Sequence, residues 1–283
     1  GSVTSTSGEV SLLAGGRLSG SGELDLSGST WVLGGDFEKR PVVGSQSSGT
    51  LTISQTDLKL ADNSTLTSDE ALNFVNLNLN DYALTLGSST SDLTVQNAIT
   101  IDASTEGILT GEADLILLSS LNMSQGLLGS TGGTWVFSKD FLKSGGTLTI
   151  SQTDLELKDN IKLTSDQALS FVFVTLNLNN FTLTLGSSTS DLTVENAITI
   201  DAITEGISTG EADLILMSAL TMSEGLLQSS GGTWEFNGDF KKTSGTLSIT
   251  ETDLTLTNNI TLTSDVALSF VTLNLNYKTL TLG

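Results

Sequence analysis

The chain has no cysteine, no histidine and a single proline, Pro41, among 283 residues. Without cysteine there are no disulfide staples and no thiolate metal sites. Without histidine, Ser-His-Asp and Cys-His catalysis are excluded, and the common zinc sites go with them. Basic residues are scarce as well: 11 Lys and Arg face 32 Asp and Glu, for a formal charge of −21. Such a surface repels phosphate backbones and anionic lipid, so nucleic acid is not an expected partner. No apolar run approaches the ~18 residues that a membrane span requires. Aromatic residues make up only 5%.

What is present is Leu, Ile and Val, set among Ser, Thr, Gly, Asn and Asp. The 37% hydrophobic content is enough for a core, and the small polar residues suit many short strands joined by tight turns.

The dominant feature is repetition. The stretch "GSSTSDLTVQNAITIDASTEGILTGEADLIL" from Gly87 returns 99 residues later, from Gly186, with 28 of 31 positions identical. Trp31, Trp135 and Trp234 each open a unit, in "STWVLGGDF", "GTWVFSKDF" and "GTWEFNGDF". Each unit continues through "GTLTISQTDL"-like and "LTSDxAL"-like stretches. The boundaries read as residues 1–30, the degenerate end of a preceding unit behind a Gly-Ser tag remnant; 31–133, repeat 1; 134–232, repeat 2; and 233–283, a partial repeat 3. The chain is expected to be one solenoid, cut from a longer repetitive protein.

Within a unit the period is two. Leu176 and Leu178 alternate with Thr175, Asn177 and Asn179, and Leu183 and Leu185 alternate with Thr182 and Thr184. This alternation buries one side of a strand and wets the other. No helical period persists, and "TSDEAL" at Thr67 reads as a bend. Strands recur about every seven residues, too densely for ordinary hairpins, so the pattern predicts an all-β, parallel β-solenoid with coils of roughly 20–25 residues. Tandem Ig-like domains are the rival, because about 100 residues is also their size.

The "GTLTI…DLEL…LTLG…AITI" texture resembles the passenger regions of large bacterial surface proteins, the filamentous haemagglutinin-type adhesins and autotransporters. That resemblance implies a secreted, cell-surface role as an adhesive or structural segment, with further copies or adjoining repeats, a carbohydrate, or a host or abiotic surface as partner. It carries over no site residue.

No catalytic, cofactor-binding or metal residue is expected. There is no Gly-x-Ser-x-Gly elbow and no phosphate-cradling loop, and "GGDFEK" at Gly34 lacks the ligand spacing of a calcium loop. Weak surface calcium binding is the one metal interaction that the carboxylates allow. A polysaccharide-binding or polysaccharide-cleaving β-helix would use clustered Asp. Here the acids recur with the repeat: Asp36, Asp140 and Asp239; Asp57, Asp154 and Asp253; Asp69, Asp166 and Asp265. Others recur twice: Asp92 and Asp191, Asp102 and Asp201, Glu112 and Glu211, Asp114 and Asp213. Recurrence points to structural turns, where Asp side chains hydrogen-bond turn backbone. "TLT" at Thr50, Thr65, Thr147, Thr182, Thr261 and Thr279 raises an ice-binding alternative, set against the plain strand preference of Thr. The three tryptophans are expected in the core, not as sugar platforms. The segment from Glu38, "EKRPVVGSQSSG", is seven residues longer than its counterpart and is the main break in the symmetry.

Overall fold

A computed structural model describes residues 2–5, 7–41, 48–168 and 171–283. The described residues hold 39 short strands and no helix, and hence no helix long and apolar enough to cross a membrane. They form two compact units, Gly1–Val136 with Gly145–Thr149, and Phe137–Ser144 with Ile150–Gly283.

Each unit is a parallel β-solenoid. Most paired strands bond to the third strand along the chain, so three strands and three corners make one coil. In the first unit Leu72 lies beside Leu93, and Leu93 beside Leu115. In the second, Phe171, Leu192, Leu214, Trp234, Leu254 and Leu273 follow one another up a single column. Uninterrupted coils advance by 19 residues, from Leu58 to Leu77, to 24, from Ala83 to Gly107. Where the long segment after Glu38 intervenes, the step from Phe37 to Leu66 stretches to 29.

Burial follows parity. Strands such as Leu93–Val95, Leu115–Leu117 and Leu214–Leu216 bury their first and third residues and turn the second outward. With no room across a three-stranded coil for anything but side chains, the inward columns are Leu, Ile, Val, Phe and Met, with Trp as an occasional member. All three tryptophans are fully buried, and Trp31 meets Phe37 edge to face at 4.9 Å.

Corners need backbone conformations that L-residues avoid. In "LNLND" Asn80 and Asp81 both have positive φ, as do Asn179 and Asn180 in the next copy. The Tyr82 and Phe181 N–H groups close these turns onto the Leu79 and Leu178 carbonyls. Two consecutive left-handed residues define a type I′ turn, which Asn and Asp tolerate best. The third copy places Asn276 and Tyr277 there. In "TSDEAL", Thr67 and Ser68 end the strand Ser64–Ser68, and Asp69 and Glu70 form a bend leading into the strand Leu72–Phe74.

Candidate functional site

The most distinctive side chains are three buried lysines. The strands Phe37–Lys39, Phe141–Lys143 and Phe240–Lys242 share the motif Asp-Phe-x-Lys and bury both ends. Because Lys stands two residues after Phe, strand parity forces it inward. Lys39 registers with Ser68, and Lys242 with Ser264. Each ammonium escapes the apolar interior by reaching the next coil's corner: Lys39 Nζ lies 2.5 Å from Asp69 Oδ1, Lys143 Nζ lies 2.5 Å from Asp166 Oδ1, and Lys242 pairs with Asp265 in the same way. Lys39 also has Glu70 at 3.3 Å. The backbone joins in, since the Asp69 and Asp166 N–H groups donate to the carbonyls of Lys39 and Lys143. An ammonium placed in such a core without its carboxylate would be a large uncompensated charge.

The other recurring acids also work between coils. Asp36, Asp140 and Asp239 accept the N–H groups of Thr65, Lys162 and Thr261 at 2.7–2.8 Å. Asp92 accepts from Asp114, which in turn accepts from Thr134; Asp191 and Asp213 repeat this chain with Thr233. These carboxylates bond backbone, as expected, but not within one coil. Their partner is the backbone one coil on, because a corner residue's nearest free N–H belongs to the coil stacked upon it. Asn63, Asn160 and Asn259 do the same for Ala83, Thr182 and Thr279. Asp57 instead accepts from the Asn76 side chain. Asp102 and Asp201 are exposed, as are Glu112 and Glu211.

Glu106 and Glu205 carry a role that the sequence reading missed. Glu106 accepts the N–H groups of Asp102 and Ala103 at one oxygen and that of Asp81 at the other. Glu205 does likewise with Asp201, Ala202 and Asn180. The signal was the repeated "TEG", a carboxylate directly before a strand-opening glycine.

Among the described residues no group of three or more acids is placed to hold a metal. Threonine ranks are short: Thr65 and Thr85 are neighbours but the next position is Leu109, and Thr199 and Thr221 are followed by Lys241. Of the long segment after Glu38, Lys39 is committed to its internal pair and Arg40 to Glu38, while residues 42–47 lie outside the described residues. One outer-face notch differs between repeats. In the first unit Gly129 floors a hollow of about 360 Å³ walled by Leu109 and Leu127, with Thr85 and Thr149 at the rim. The second repeat has Ser208 and Gln228 in place of Leu109 and Gly129, and the Gln228 amide donates to Ser208 Oγ at 2.7 Å.

No protein-family model, no curated protein and no solved structure matches the chain.

Replacing Asp166 by Ala should lower stability by about 3 kcal/mol, the low end for breaking a buried pair because Asp166 itself is partly exposed. The double change Lys143→Met with Asp166→Asn should recover most of that loss. Urea denaturation of the three proteins checks both. A second expectation concerns Asp213. Burial pushes its carboxyl above the ordinary value of 3.8 and the charge of Asp191 adds to the effect, against the opposing hydrogen bonds from Thr233. The folded state thus holds this proton more tightly than the unfolded one. The ionised group detracts from stability above its folded pKa, and the deficit is relieved as pH falls through that value toward 3.8. Asp213→Asn, which keeps an acceptor for Thr233, should be more stable than the parent at neutral pH, with the advantage fading in acid. Melting curves across that range measure the difference.

Proposed function

We propose that the chain is a non-enzymatic structural and adhesive segment of a large secreted bacterial cell-surface protein, of the kind its repeat texture resembles. One observation carries the reading. Chemistry-bearing side chains recur copy by copy, and most of them hold one coil to the next: Lys39, Lys143 and Lys242 with Asp69, Asp166 and Asp265, and the corner carboxylates with neighbouring backbone. An enzyme concentrates unlike groups at one place; a scaffold distributes like groups evenly. The excess of 32 acidic over 11 basic residues suits an exposed extracellular surface whose contacts respond to ions.

On this reading the partners are other copies of the same repeats and an external surface. Like-charged walls repel at low ionic strength. Raising salt to about 0.15 M shortens the reach of that repulsion to ~8 Å, and calcium can bridge carboxylates on neighbouring molecules. Static light scattering across a salt and calcium titration tests the self-associating role. Association should rise with salt and rise further with calcium. A response flat in both would leave the acids with a solubilising role only and overturn the self-association.

A further inference from the structure

The three lysine–aspartate pairs are alike in all but one contact. In each, the buried lysine of an Asp-Phe-x-Lys strand meets the Asp of a Thr-Ser-Asp corner. The residue after that Asp differs: Glu70 in the first copy, Gln167 in the second and Val266 in the third. The first pair therefore has a further carboxylate beside it. Glu70 Oε1 lies 3.3 Å from Lys39 Nζ, which is itself 2.5 Å from Asp69 Oδ1. Among the described residues, Lys143 and Lys242 each have a single acid in reach.

An amine, a carboxyl group and a second carboxylate are the components of amide formation, and this corner holds them together. The Lys39 side chain is only 4% exposed, and its strand position is flanked by Leu18 of the preceding coil and Ser68 of the following one, both buried. The Asp69 N–H donates to the Lys39 carbonyl at 3.2 Å, so backbone and side chains join the same two residues. The Glu70 N–H donates to Ser68 Oγ at 3.1 Å, which fixes the bend that carries both acids. Condensing a free amine with a free acid is unfavourable in water, but groups held in contact act at effective concentrations of about 10⁵–10⁸ M. The Asp69 side chain is 31% exposed, which gives the released water a way out.

We infer that Lys39 and Asp69 join in an intramolecular isopeptide bond, with Glu70 carrying the proton. A proton first passes from the Lys39 ammonium to the Asp69 carboxylate, leaving a neutral amine beside a neutral carboxyl group. The Nζ lone pair attacks Asp69 Cγ, and the C–N bond forms. Glu70 takes a proton from Nζ and returns it to the departing hydroxyl, so that a Cγ–O bond breaks and one water leaves. Glu70 ends as the carboxylate it began as, nothing is oxidised or reduced, and one positive and one negative charge disappear together. The bond closes a stretch of 30 residues. It spans the long segment after Glu38, where the step between coils is stretched to 29, and supplies the covalent staple that a chain without cysteine otherwise lacks. It does not depend on the proposed adhesive role.

Mass spectrometry of the full chain tests the assignment. The intact mass should fall below that of the sequence by one water. A tryptic map should show no cleavage after Lys39 and one branched product joining it to Asp69. Glu70→Gln gives the first copy the residue that the second carries at 167; it keeps the pair and should slow bond formation at least roughly 100-fold, the low end for a positioned proton carrier. In the opposite direction, Gln167→Glu should bring a second loss of water, mapped to Lys143 and Asp166. A parent chain that keeps its full mass through prolonged incubation at neutral pH would overturn the proposal. So would a water lost at other residues, a bond at Lys143 or Lys242 in the parent, undiminished formation in Glu70→Gln, or no second loss in Gln167→Glu.

Discussion

Parallel hydrogen bonding between successive coils is the constraint on which everything else rests. Each backbone strand is held to the coil beneath in one register, and that register decides which side chain lies over which. A shift of the strand Leu214–Leu216 by one residue against Leu192–Val194 would turn Leu214 and Leu216 out to water and bring Ile215 in. The aliphatic columns supply the driving force, since burying each such side chain is worth about 1.5–3 kcal/mol, but they do not by themselves choose among registers a whole coil apart. The Lys–Asp pairs and the corner carboxylates do. Each links one residue of a coil to a specific residue of the next, and a wrong pairing leaves a charge or an N–H group buried without its partner.

Much of this was legible in the sequence because strand parity is a local property. Leu183 and Leu185 reveal their side of the strand by alternating with Thr182 and Thr184, and no tertiary knowledge is needed. The coil length followed from the spacing of those runs, and the burial of Trp31, Trp135 and Trp234 from their place beside apolar neighbours. What escaped detection was every interaction that links different coils. Lys143 and Asp166 lie 23 residues apart, and Asp140 and Lys162 lie 22 apart, which are separations that only a known coil length makes meaningful. Once the coil is known, Asp-Phe-x-Lys becomes readable: a lysine on the buried parity demands an acid one coil on.

The coil and the sequence repeat are different units. From the strand Leu93–Val95 to its copy Leu192–Val194 the described residues count fourteen strands, and fourteen is not a whole number of three-strand coils. Duplication has therefore not been confined to complete turns. Stacking tolerates this because each coil presents its successor with the same aliphatic interior and the same kind of corner, whichever stretch of the repeat supplies it. Sequence is held on the inward face of each coil and is freer on the outward face, where the stacked pair Leu109 and Gly129 can become Ser208 and Gln228 while the inward columns keep their character.

Deletion within the second unit tests most directly whether the coil is the unit that holds the structure together. Gly206 pairs with Leu226, so removing residues 206–225 takes out one coil and leaves the strand from Leu226 able to stack where Gly206 had been. Such a protein should keep its strand-rich circular dichroism and unfold cooperatively in urea. Removing only residues 206–215, about half a coil, should abolish the cooperative transition, because the remaining strands would meet the wrong corners. If the two deletions behave alike, whether both fold or both fail, the coil is not the unit that holds this structure together.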